Sequence, residues 1–217
     1  MSSTPSTSEL AIRGAPVALR DGSRVRIRQG HSSDRKLLLR GFERLSPESR
    51  YRRFLAQTTE LSEETLRYLT DVDHRDHEAM IALEEETGAG IGVARYVRDA
   101  ERPDTAEVAV TVIDDWQGRG LGTLLLDVIG ARARQEGITS FTAVVLATNH
   151  TVIDLLGQLG DVRVLDREGS TFELAVSIPP IGVAPALRKL LRIAAEHDVA
   201  IPPAPGDRPR RSLAEDG

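Results

Sequence analysis

The segment Gln117-Gly118-Arg119-Gly120-Leu121-Gly122 carries the clearest chemistry in the chain. It sits between a β-branched apolar run and a helical stripe, so the N–H groups that open the helix lack intrahelical partners and converge on one spot. An anion is favoured there. Glycines let the backbone approach a ligand closely and adopt positive φ, and Arg119 adds charge at the rim. The GxGxG spacing lacks the trailing Lys-Ser/Thr of a P-loop and the GxGxxG register and ribose-binding acid of a dinucleotide site. The alternative is a glycine-rich strand-to-helix connection with no ligand. Two other groupings are weaker. Asp73, His74, Asp76 and His77 are metal-ligating types, but they fall in one polar stretch without firm ligand spacing and read as a loop, so no metal is expected. Ser140 and His150 lack the Gly-x-Ser-x-Gly elbow that would support a hydrolase triad.

Such a turn works only if regular elements hold it. Short alternating runs around Asp21-Gly22 predict a hairpin-type turn and a first strand near 24–28. Helices are expected over 33–44, over 46–55 with Pro47 in an early position, and from Ser62 to about Asp71 with Glu63 and Glu64 in the first turn. The runs 79–84 and 91–97 predict an antiparallel hairpin, followed by a strand over 106–113. Leu121, Leu124, Leu125, Val128 and Ile129 then form one stripe of a helix ending at Gly137. The near-continuous apolar run 141–147 predicts a central strand, parallel to 106–113 because a helix crosses over between them. A short helix to about Leu159, paired strands at 162–165 and 171–178, and an amphipathic helix over 183–197 complete the order. This is an α+β pattern: a mixed, mostly antiparallel sheet flanked by helices.

Composition bounds the function. A chain of 217 residues, 40% hydrophobic and 28% charged, suits one domain with short additions. The boundaries expected are a disordered segment at 1–14, a domain at 15–180, a helical segment at 181–200 and a mobile tail at 201–217. With 28 Lys and Arg against 33 Asp and Glu, the net charge of -5 gives no global pull toward nucleic acid or anionic membrane. The absence of cysteine excludes disulfides and thiolate catalysis and is compatible with the cytoplasm. No stretch approaches the length of a membrane span. The last helix could cap the domain or meet a partner, a second copy of the chain included.

VTVIDDWQGRGLGTLLL resembles the GCN5-related N-acetyltransferase (GNAT) family, in which a Gln/Arg-x-x-Gly-x-Gly/Ala turn after a strand binds the pyrophosphate of acetyl-CoA. The resemblance implies acetyl-CoA as co-substrate, no metal, and a primary amine as acceptor. It assigns the pyrophosphate to Gln117, Gly118, Arg119, Gly120, Leu121, Gly122 and Thr123, and the pantetheine arm to the backbone of Val110, Thr111 and Val112, along a gap where the parallel strands splay. Asn149, in ATNHTVIDLLGQLG, matches a family Asn that bonds the pantetheine region; it also reads as a helix N-cap, and both roles are compatible. Many members place a Tyr seven residues later to protonate the leaving thiolate. This chain has Leu156 there, so no tyrosine general acid is expected, and the usual final Gly-Phe becomes Gly160-Asp161.

Within that resemblance Glu107 is the candidate base. On a strand it shares a face with Ala109, Thr111 and Ile113, and the span from Glu107 to Ile113, roughly 20 Å, is comparable with the reach of a pantetheine arm. An amine of pKa about 10.4 is neutral in roughly one molecule in a few thousand at pH 7, so a carboxylate that takes its proton would raise the reactive fraction. The alternative is a solvent-facing or salt-bridged strand Glu. RLSPESRYRRFL, LTDVD and AEVAVTVIDDWQGRGLG further resemble bacterial protein lysine acetyltransferases of the Pat type, which implies a protein lysine as acceptor; a small-molecule amine remains open, as does a non-catalytic acyl-CoA-binding regulatory module. Arg44, Arg50, Tyr51, Arg52 and Arg53 could shape the acceptor site or form a solvated helix face.

Overall fold

Val25 and Ile27 are buried between exposed Arg24 and Arg26, the period-two pattern of a strand with one wet face. In the computed structural model, which describes residues 16–180, they belong to β2 (Arg24–Gln29). A short β1 (Pro16–Ala18) pairs antiparallel with it across a turn in which Gly22 adopts a φ of 86°, as the Asp21-Gly22 pair predicts. Three helices follow: α1 (Arg35–Glu43), α2 (Pro47–Phe54) and α3 (Glu63–Thr70). Ser46 and Ser62 cap the latter two, their hydroxyls each accepting an N–H, from Ser49 and Thr65, at 3.1 Å. α1 starts two residues later than expected because Ser32–Asp34 first forms a 3-10 turn, closed by Asp34 accepting the His31 N–H at 2.8 Å.

β3 (His77–Glu84), β4 (Gly90–Arg98) and β5 (Thr105–Val112) run as an antiparallel meander beside β2. α4 (Leu121–Gln135) crosses over to β6 (Ser140–Leu146), which lies parallel to β5. α5 (His150–Leu159) leads into the hairpin of β7 (Val162–Glu168) and β8 (Thr171–Ser177), and β8 inserts next to β6. The sheet order is β1-β2-β3-β4-β5-β6-β8-β7, mostly antiparallel with one parallel pair, as the sequence predicts. β7 is three residues longer than expected because the ladder with β8 carries the polar run through Glu168. The helix expected at 183–197, and the terminal segments 1–14 and 201–217, lie outside the described residues.

The two faces of the β3–β5 meander differ. Met80, Ala94, Tyr96 and Val108 pack with Leu121, Leu125 and Ile129 of α4 in the main core, where burying a large aliphatic side chain contributes about 1.5–3 kcal/mol. Gly92 permits this approach, since a Cβ there would lie 3.0 Å from Leu125 Cδ1 and 3.1 Å from the Thr111 carbonyl oxygen. Ala79, Ile81, Val93, Arg95, Ala109 and Thr111 occupy the other face and look across a cleft toward α1, α2 and α3.

Gly160 sets the approach of α5 to β8 by space alone, because its φ of -172° suits any residue. A Cβ there would collide with the Ser177 carbonyl oxygen. Gly160→Ala is expected to lower stability by about 2–3 kcal/mol, read as a fall in the urea midpoint. An unchanged midpoint would mean that β8 yields at no cost.

Candidate active site

β5 and β6 share three residue pairs: Thr105 with Ser140, Ala106 with Phe141, and Glu107 with Thr142. Beyond them β5 stays with β4 as far as Val112, and β6 stays with β8 as far as Leu146. The parallel strands therefore part at Glu107, leaving a slot with that residue at its apex. The Ile113 N–H donates to the Ile91 carbonyl at 3.1 Å. Since backbone groups alternate sides along a strand, Thr111 addresses β4 while Val110 and Val112 address the slot. The side chain of Thr111 instead lines the cleft on the helical face.

Past Val112 the chain bends through a 3-10 turn, Asp114–Trp116, into the glycine segment. Asp114 fixes this bend to the start of α2: it accepts the Ser46 N–H at 2.9 Å, the Ser46 hydroxyl at 2.8 Å and the Ser49 hydroxyl at 2.9 Å. Burial works against its charge, but these hydrogen bonds outweigh it and hold the carboxyl below the usual range. Gly118 and Gly120 have φ of 74° and 88°, and Gly120, the N-cap of α4, has no side chain with which to cap the first-turn N–H groups. That end of a 15-residue helix carries the positive pole of its dipole, where negative charge is stabilised.

The other residues of the turn divide their work. Gln117 Nε2 donates to the Val112 carbonyl at 3.1 Å and closes the bend. Arg119 lies 4.8 Å from the Trp116 ring centroid and 3.5 Å from Asp21, so it braces the β1–β2 turn. Gly122 allows α5 close, since a Cβ would lie 3.2 Å from Leu155, and the Thr123 hydroxyl donates to Gln158 Oε1 at 3.1 Å. Leu121 is buried in the core. Sequence reasoning passed over Arg20, an exposed residue whose Cδ lies 3.9 Å from where a Gly120 Cβ would stand.

Glu107 is exposed and paired in register with Val97 of β4 and Thr142 of β6. On the same face two arginines approach, Arg95 from β4 and Arg53 from α2. Burial pushes the Arg95 guanidinium down to about 10, Arg53 opposes its charge and Glu107 favours it. His77, pushed down to about 4 by burial and by Arg95, is neutral near pH 7. Arg95 was missed in the sequence. Its signal was present, because a charged side chain in the middle of GIGVARYVR must either be exposed or serve a purpose. Of the arginine-rich α2 segment, Arg53 turns into the cleft, while Arg44 pairs with Asp115, Arg52 pairs with Glu48, Arg50 stacks 4.4 Å from the Phe42 ring, and Tyr51 is exposed.

Asn149 is buried and caps α5, its Oδ1 accepting the Val152 N–H at 3.4 Å. Leu156 is 1% exposed and belongs to the core, so that position offers no proton donor. Asp73 accepts three successive N–H groups, from Arg75, Asp76 and His77, while His74 bonds Glu78 and Asp76 pairs with Arg98. Among the described residues no group of three or more His, Asp or Glu is arranged to hold a metal ion.

The sheet is thus split between its parallel strands, with the start of α4 at the mouth of the split. Residues 41–160 match the model of the acetyltransferase (GNAT) family, and the chain belongs to that family. It is similar to Acetyltransferase Pat of Mycolicibacterium smegmatis, 34% identical over 174 residues that make up 80% of this chain and 52% of that protein. It therefore spans about half of that relative's length. Acetyltransferase PA5475 of Pseudomonas aeruginosa is 36% identical over 71% of this chain and 83% of its own. Among solved structures, the GNAT domain of S. lividans PAT aligns with a TM-score of 0.70 at 34% identity, covering 76% of this chain and 96% of that one. The yncA protein of Salmonella typhimurium, solved with its cofactor acetyl-CoA, shares the fold at 19% identity with a TM-score of 0.57, covering 74% and 97%.

Proposed function

We propose that the protein is an acetyl-CoA-dependent N-acetyltransferase acting on a primary amine by direct attack, with Glu107 as general base. The observation that carries this reading is the parting of β5 from β6 at Glu107, which leaves a slot running from the uncapped start of α4 to a carboxylate. The first-turn N–H groups of α4 would bind the pyrophosphate, with Arg20 and Arg119 adding positive charge nearby. Val110 and Val112 would bond the pantetheine arm, and Asn149 would hold the adjacent start of α5. Glu107 takes a proton from the ammonium, directly or through water. The freed amine nitrogen attacks the thioester carbon, the C–N bond forms, and the C–S bond breaks. CoA leaves as thiolate and takes up the second proton that the nitrogen sheds, through solvent. Strand N–H groups polarise the carbonyl as charge gathers on its oxygen.

The acceptor is either a protein lysine, to which the similarity to Pat points, or a small-molecule amine. The second reading is a non-catalytic acyl-CoA-binding module, favoured by Leu156 standing in the core where a proton donor would help. The test is incubation with acetyl-CoA and a panel of lysine peptides and small amines, following free thiol and acetylated product. Acetyl-CoA is expected to raise Tm and thiol to appear in step with acetylated amine. A Tm rise with no product across the panel would establish the module reading instead.

A further inference from the structure

Arg95 is 5% exposed in the middle of β4, and its guanidinium is half used. Nη2 donates to the Tyr68 carbonyl at 3.3 Å and contacts His77 Nε2, while the group lies 4.7 Å from the Tyr68 ring centroid. Nη1 is buried without a hydrogen-bond partner among the described residues. A buried cationic donor without an acceptor is costly, and each one calls for an explanation; of the three described arginines with such a nitrogen, Arg35, Arg50 and Arg95, Arg95 is the one that lines this cleft. Arg53 lines the same cleft, and its charge and that of Arg95 oppose each other. Among the described residues neither makes an ion pair. Glu107 favours both cations through space without touching either.

The cavity between them measures about 80 Å³, against the roughly 15 Å³ that a single water needs. Its walls include Leu38, Phe42, Phe54, Leu69 and Ile81. The cleft therefore combines two unneutralised cations, apolar walls and a carboxylate at its edge. We propose that it is the acceptor subsite, and that the acceptor is a small apolar amino acid whose carboxylate bonds Arg95 Nη1 and Arg53 while its amine faces Glu107.

The register supports this arrangement. Arg95 stands opposite Ala109, and Ala109 lies two residues from Glu107 on the same face, about 7 Å along the strand. An α-amino acid carries amine and carboxylate on one carbon, so a hydrogen bond of about 3 Å at each end spans that interval. Its side chain then meets the apolar walls. A lysine within a protein has no free carboxylate beside its amine and would leave Nη1 unmet. The inference rests on the acetyltransferase reading and names its acceptor class.

The test is calorimetry on the intact protein saturated with free CoA, comparing L-leucine and L-phenylalanine with their carboxamides and with a blocked lysine amide. The acids are expected to bind about 10- to 100-fold more tightly than the amides, the range set by one charge-assisted hydrogen bond. Arg95→Met is expected to collapse that ratio toward one. Equal affinity of acid and amide in the wild type, or tighter binding of the blocked lysine, overturns the proposal. The wild-type comparison decides the matter even if the variant fails to fold. Acetyl transfer separates the two readings: acids that bind while neither they nor any other amine is acetylated would sink the enzyme reading and leave only a carboxylate-binding cleft, whereas lysine peptides acetylated with no binding preference for acids would keep the enzyme reading and overturn the acceptor proposal.

Discussion

Glu107→Gln is expected to cut acetyl transfer at pH 7 by about 10²- to 10⁴-fold while leaving acetyl-CoA affinity within about twofold. The substitution keeps shape and removes the basic carboxylate, and the side chain is exposed with no ion pair among the described residues, so folding should not suffer. The residue sits at the last β5–β6 pair, where a thioester lying along the slot would end. Assayed with a lysine-type amine of pKa about 10.4, the variant depends on solvent to supply the neutral amine. Its rate should climb about tenfold per pH unit between 7 and 9, and the wild type should climb less steeply. A variant with the parent's rate and pH profile would remove Glu107 from the mechanism.

Gly120→Val is expected to weaken acetyl-CoA binding by about 100-fold or more. A φ of 88° is a true outlier for a β-branched residue, so the first turn of α4 must rearrange. Losing or misdirecting even two N–H groups aimed at a dianionic pyrophosphate, each contributing about 1.5–3 kcal/mol to a charged partner, produces a loss of that size. The measurement is the ligand-induced rise in Tm alongside the ligand-free Tm. A normal rise would show that the phosphate is held elsewhere, and Arg20 would become the first residue to examine.

The glycine turn was legible because its information is local: six consecutive residues supply the left-handed positions, the helix start and the bend. The parallel relation of β5 and β6 was legible for a topological reason, since a helix between two strands forces the crossover. Arg53 and Arg95 were not legible as a pair, because 42 positions separate them and only the docking of α2 on the sheet unites them. The anchor of that docking, Asp114 with Ser46 and Ser49, was equally hidden. The contacts of Arg119 with Trp116 and Asp21 were not legible either, since tertiary contacts of that kind leave no trace in residue spacing. The late start of α1 has a local cause, the competing bond from Asp34 to the His31 backbone.

The three-pair junction between β5 and β6 has a mechanical side. β1 through β5 form one raft and β6, β8 and β7 another, and the seam between them is a few residues long at one end. A molecule lying in the slot and held by Val110 and Val112 on one side and by β6 on the other would act as a splint across that seam. At a concentration a hundred times its Kd it would add about 2.7 kcal/mol of cohesion. On the proposed reading, rigidity of the two rafts as one body would then rise and fall with the supply of acyl donor.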